Sequence, residues 1–286
     1  MYVVFFIGMS VGLVCAVFLA MVLLSVFPAA EPMLPFRLYD FLKDIGGPVA
    51  AGFGGAITGA VVTYLIQSQV EKSKEKVGDV SGYNKGVAIL ISKYREVASI
   101  KKDAVTPYQN GHLRFLTIPS IPEMPLQTER STDFLNELMI KSSMGELLSS
   151  LMVAEQKYIA VMMSISERNR TFLMFRDEFD AVMSKRKGRQ RVGLKELVDI
   201  HGYTKLLRLY ELSEMVVTSI DDTLSSLDVV LNELQNNLAP RFNHEGLRLL
   251  GYLNDGRALE LTSAPFYKDT DELAAAMDQA EKPSEG

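Results

Sequence analysis

The 286-residue chain has one cysteine, Cys15, and three histidines, His112, His201 and His244. A single cysteine excludes a disulfide framework. The histidines stand far apart with no second ligand at metal spacing, so no zinc site is expected. Basic residues are also short: 30 Lys and Arg against 35 Asp and Glu leave a net charge of −5. That balance speaks against nucleic acid as a partner. There is no glycine loop followed by Lys and Ser or Thr, and no Gly-x-Ser-x-Gly turn. The glycines of Gly46–Gly59 follow no strand and make no dinucleotide fingerprint. Asp221 and Asp222 are adjacent on a helix and read as solvated surface. No catalytic residue, cofactor or metal is expected, and the chain is not read as an enzyme.

Charge is missing from two long stretches. Tyr2 to Phe27 is an uncharged run of 26 residues, enough for an α-helix to cross a hydrocarbon core of roughly 30 Å. A cleaved signal peptide is the competing reading. It needs a basic start and a shorter apolar run, and neither is present. Ile45 to Ile66 is also uncharged and carries six glycines between Gly46 and Gly59. Glycine is better tolerated in spanning helices than in soluble ones. Of the first 66 residues, 45 are apolar and five are charged. The mean hydropathy of +0.10 therefore averages a membrane segment and a soluble one.

Small residues recur at every fourth position in both runs. Gly8, Gly12, Ala16 and Ala20 mark the first, and Gly47, Ala51, Gly55 and Gly59 the second. Each ladder shares a helix face along which another backbone can approach. The expected membrane element is a packed two-span hairpin, or an oligomer built through the same stripes. Residues 28–44 carry only Arg37 and Lys43 as basic residues, whereas Lys72, Lys74, Lys76, Lys85, Lys93 and Arg95 follow the second run. Basic flanks stay inside, so both termini are expected in the cytoplasm, in the inner membrane if the source is bacterial.

The remainder reads as helical. Val87, Leu90, Ile91, Tyr94, Val97 and Ile100 share one face of a helix that a break near Gly78 and Gly82 is expected to interrupt and Pro107 to end. A proline-rich loop follows, and Thr132 or Asp133 caps the next helix. Two long helices then carry an alternate four-and-three spacing. The first seam runs Leu147, Leu151, Ala154, Tyr158, Val161, Ile165, Arg168, Phe172, Phe175, Phe179, Val182. The second runs Leu206, Tyr210, Ser213, Val217, Ile220, Leu224, Leu227, Leu231, Leu234, Leu238. Such spacing is the a/d seam of coiled-coil packing. Apolar residues beside the seams widen each face, which suits a bundle of long antiparallel helices.

Arg168 interrupts its seam. The favoured expectation is that the seam drifts there and leaves Arg168 at a solvated edge; a buried, paired arginine that fixes register is the alternative. Seven methionines between Met139 and Met183 read as core filler, with an adaptable partner groove as the second reading. The run Lys185, Arg186, Lys187, Gly188, Arg189, Gln190, Arg191 is a solvated loop by default and an anionic-lipid contact if the helices return it to the membrane.

The domains expected are 1–67, two transmembrane helices at 2–27 and 45–66; 68–254, a cytoplasmic helical bundle; and 255–286, an acidic flexible tail. The fold class is all-α. The function expected is that of an integral membrane interaction, scaffold or signal-receiving protein, whose partners are membrane lipids and another protein or a second copy. The alternative is a membrane-acting effector that oligomerises through its striped hairpin. In outline the chain is similar to the small two-span effectors of bacterial anti-phage systems, a resemblance of architecture with no shared motif.

Overall fold

A computed structural model describes residues 47–122, 131–185, 192–242, 247–253 and 256–281. Side chains at 47–51, 53, 54, 57 and 58 lie outside that description. So do the expected first span with Gly8, Gly12, Ala16 and Ala20, and the basic residues Arg186, Lys187, Arg189 and Arg191. The chain divides into two compact units, Met1–Glu75 and Lys76–Gly286.

All described elements are helical, with no strand among the described residues. α1 is Gly47–Ile100. Among the described residues no helix is long and apolar enough to cross a membrane. Within the first unit Val61, Val62, Tyr64, Leu65 and Ile66 are exposed. A Cβ added at Gly52, Gly55 or Gly59 meets nothing within 4 Å.

In the second unit α1 continues through Gly78 and Gly82 without the expected break. Both glycines hold helical geometry, and Gly86 explains why glycine is used here. A Cβ on Gly86 would lie 2.3 Å from Cγ of the fully buried Leu135. Leu135 belongs to α3 (Asp133–Lys141), which starts where expected, with Thr132 at the N-cap position but without a cap bond from its side chain. α2 is the single turn Arg114–Thr117, and α4 is Gly145–Met183. α5 (Leu194–His201) was not foreseen; it ends at Gly202, whose φ of +78° only glycine adopts readily. α6 is Tyr203–Glu233 and α7 is Thr270–Glu281.

α4 and α6 run antiparallel, with Arg168 bonded to Ser213 and Lys157 to Ser226. α1 lies parallel to α4, because Lys93 meets Glu155 and Glu96 meets Tyr158 three residues on in both helices. The seams meet in the middle. All ten seam residues of the last long helix are buried, as are Leu147 through Ile165 of the first. The α1 seam also begins earlier than expected, at Val80 and Tyr83. A second apolar cluster closes the far end with Phe115, Phe175, Leu206, Leu209, Leu273 and Met277. Met152, Met163 and Met174 face outward and are exposed, so the methionines are not all core filler.

Three expectations are corrected in this unit. Arg168 is not at a solvated edge but 1% exposed. Asp221 is not free surface, since it holds Lys101 at 2.7 Å. Within the segment expected to be a flexible tail, α7 packs its Leu273 and Met277 into the second cluster. Two apolar residues at i and i+4 suffice to seat this short helix in an otherwise acidic stretch.

Candidate functional site

Two polar assemblies shape the bundle. In the first, prolines create a need that one arginine meets. The helical partner of the Phe115 carbonyl would be the N–H of residue 119, and that of Ile118 the N–H of residue 122; both are proline and have none. The Arg168 guanidinium supplies the donors. Nη2 donates to Ile118 O at 2.5 Å and Phe115 O at 3.2 Å, Nη1 to Pro119 O at 2.7 Å, and Nε to Ser213 Oγ at 3.2 Å. Its plane stacks over Phe172, 4.5 Å from the ring centre. Asn169 grips the next residue through both polar groups of Ile121. Burial pushes the Arg168 guanidinium down to about 10. The assembly lies between the two apolar clusters and fixes the loop that the prolines keep from coiling.

The second assembly builds a cleft. α1 ends in a wide π turn, Lys101–Val105, where Thr106 N–H and its hydroxyl both reach Lys101 O before Pro107 stops the helix. This turn points Lys101 inward and Lys102 and Asp103 outward. π turns are rare and recur at functional sites. Inside, Lys101 Nζ bonds Asp221 Oδ1 at 2.7 Å and the carbonyls of Ala258 and Glu260. Asp221 also accepts from the Thr262 N–H and hydroxyl. Nearby, Arg114 forks onto Glu214 and donates to Gln109 O and Ser263 O. These bonds fasten a C-terminal strap across α1 and α6. Its earlier part is held by Asn84, through Arg248 O and the Leu250 N–H, and by Gln235 at the Tyr252 N–H.

Between the two fastenings opens a cleft of about 950 Å³, within the size range of small-ligand sites. One wall is the outward face of α1, where Ile91, Arg95, Ser99 and Lys102 follow at helical spacing. The other is the strap, with Tyr252, Leu253, Arg257, Ala258 and Glu260. Tyr94 and Tyr252 meet edge to face at 5.7 Å on its apolar side. Tyr252 donates to Asp228 at 2.8 Å, and burial with that carboxylate pushes its phenol well up. Four cations, Arg95, Lys101, Lys102 and Arg257, line the cleft against Asp103 and Glu260. Lys101 is neutralised by Asp221, whereas Arg95 and Lys102 have no ion pair among the described residues.

The histidines lie elsewhere. His201 is buried, stacked on Phe175 at 3.3 Å, with Nδ1 3.1 Å from Glu178. Burial holds it below the usual histidine range, against the opposing pull of Glu178. His112 stacks on Phe266 at 3.9 Å, and His244 lies outside the described residues. Among the described residues no group of three or more His, Cys, Asp or Glu is placed to hold a metal ion.

Of the residues singled out in sequence, Gly55 and Gly59 have open faces and Lys185 is exposed just past the end of α4. The sequence reading missed Lys101, Arg114, Glu214 and the cleft. The one usable signal was the proline at 107 after a Lys-Lys pair. No family model, curated protein or solved structure matches the chain.

Proposed function

We propose that the chain is a membrane-anchored helical receiver. Runs 2–27 and 45–66 form a two-span hairpin with both termini in the cytoplasm, and the helical unit from Lys76 onward takes up a signal or partner. One observation carries the membrane half. In an uncharged segment, Val61, Val62, Leu65 and Ile66 turn roughly half their surface outward, and the glycine face beside them is open at Gly55 and Gly59. Lipid is the solvent that such a surface suits, and close packing of a second span is what an open glycine face suits. The cleft at the π turn supplies the receiving half.

Membrane fractionation of the expressed full chain tests this reading. The anchor predicts that the protein stays in the pellet after alkaline carbonate extraction. It also predicts that single cysteines, placed in a Cys15→Ser background, are labelled from outside at Leu34 and not at Ser81. Release into the carbonate supernatant refutes the anchor, and labelling at Ser81 alone reverses its orientation. Oligomers in mild detergent that fall apart when Gly55 and Gly59 become leucine locate the assembly contact in the second span.

A further inference from the structure

We infer that the cleft between α1 and the C-terminal strap binds a small phosphorylated molecule with a planar apolar body, which deepens the receiver reading by naming the class of signal. The chain as a whole is acidic, at −5, so a local excess of cations is not background. Arg95 near the end of α1 and Lys102 in the π turn that follows both line the cleft, with Ser99 between them in the chain. An anion between them gains charge-assisted hydrogen bonds from a guanidinium and an ammonium.

Two carboxylates, Asp103 and Glu260, also line the cleft, and neither forms an ion pair with Arg95 or Lys102 among the described residues. Asp103 accepts the Ser99 hydroxyl at 2.9 Å. The acidic residue nearest in the core, Asp221, is engaged by Lys101 and Thr262. The space is also far larger than an inorganic anion requires. Its inner side is apolar, lined by Ile91, Ala98 and the small part of the buried Tyr94–Tyr252 pair that reaches the cleft. A phosphate at the mouth and a ring against this apolar side use both kinds of lining at once.

The test is titration calorimetry on the purified full chain, with ADP and inorganic pyrophosphate as probes. The inference expects both to bind, ADP the tighter because its base adds contact. Arg95→Ala and Lys102→Ala each weaken ADP binding about tenfold, and about a hundredfold together, with unfolding midpoints unchanged because both side chains are exposed. Tyr252→Leu narrows the gap between ADP and pyrophosphate. Three results overturn the inference: no heat with either probe at millimolar concentration, binding indifferent to Arg95 and Lys102, or binding only to vesicles containing phosphatidylserine. The last assigns the cations to lipid headgroups. Detergent-solubilised protein serves throughout, so failure here is separate from failure of the membrane anchor, which the fractionation reads.

Discussion

Replacing Arg168 isolates the contribution of a fully buried cation that, alone among the buried cations of the described residues, has no carboxylate. In Arg168→Leu the carbonyls of Ile118 and Pro119 lose their donor, Phe115 O keeps only the long bond from the Ser213 hydroxyl at 3.5 Å, and Ser213 loses its partner at Nε. Prolines at 119 and 122 leave no backbone N–H to replace it. Each carbonyl left alone costs about 1–3 kcal/mol, so Ile118 and Pro119 cost roughly 2–6 kcal/mol together, and the weakened Phe115 carbonyl adds part of the same again. Leucine offsets part of this, since it needs no hydration. The fall of the guanidinium from 12.5 to about 10 corresponds to roughly 3 kcal/mol of lost hydration. The net expectation is a loss near 3 kcal/mol, which lowers the unfolding midpoint of a unit this size by about 6–12 °C. Arg168→Lys sharpens the test. An ammonium keeps the charge but lacks the planar fork that spans four acceptors. Lysine is therefore expected to be no better than leucine. Circular dichroism melting gives the midpoint, and hydrogen exchange over 113–121 gives the local effect, faster in both variants. A lysine variant as stable as the parent refutes the donor argument, because charge alone would then be enough. So does a leucine variant within about 0.5 kcal/mol of it.

Two further predictions concern packing and titration. Gly86→Ala gains about 1 kcal/mol of helix propensity and loses about 1–3 kcal/mol to overpacking against Leu135. Gly78→Ala has open space and keeps only the gain. Thermal melts should rank Gly78→Ala above the parent and Gly86→Ala below it, and the reverse order refutes the close approach. His201 is held below its usual value of 6.5, chiefly by burial. Below about that pH the unfolded chain binds a proton that the folded one resists, so stability falls as pH drops from 6.5 toward the lowered value. Glu178, lowered first by its bond to Lys205 and then by His201, adds to the loss only in the more acidic carboxylate range. His201→Phe should flatten the slope of stability between about pH 7 and pH 5.5 in urea titrations, and an unchanged slope excludes His201 as its source.

The long helices were legible because burial repeats. Leu206 through Leu238 were placed by spacing alone, and all ten are buried; each position is supported by its neighbours in the pattern. Arg168 shows the limit of that logic. The spacing put it on the seam, and the cost of burying a charge argued it off again. The missing fact was the demand for donors created by Pro119 and Pro122, roughly fifty residues earlier in the chain. Lys101 with Asp221, and Arg114 with Glu214, were hidden for a similar reason. Each is one residue meeting one distant residue, with no period to betray it. α7 was hidden by composition, because its two anchors sit in a stretch whose acids outweigh them. The first small-residue ladder lies outside the described residues, and of the second only Gly55 and Gly59 have a described surrounding.

The basic residues around the π turn are sorted by what faces them. Lys101 and Arg114 point inward and are each given a carboxylate from α6, at Asp221 and Glu214, together with strap carbonyls. They are structural cations, and their side chains are 8% and 4% exposed. Arg95 and Lys102, on the same helix and its continuation, point the other way into the cleft, with no ion pair there among the described residues. A solvated pair of this kind gains little from its surroundings and loses little, so stability alone gives no reason to hold both against one concave wall. The strap supplies the reason in geometric terms. Fastened at Asn84 and Gln235 on one side and at Lys101 and Asp221 on the other, it turns a convex helix face into one wall of an open cleft, where an arriving anion meets both cations and the strap at once. The strap and the cation pair thus act together. Loosening the strap at the uncharged Asn84, which holds Arg248 O and the Leu250 N–H, lowers anion affinity without touching Arg95 or Lys102, and that coupling separates a built site from two cations that happen to lie near each other in the chain.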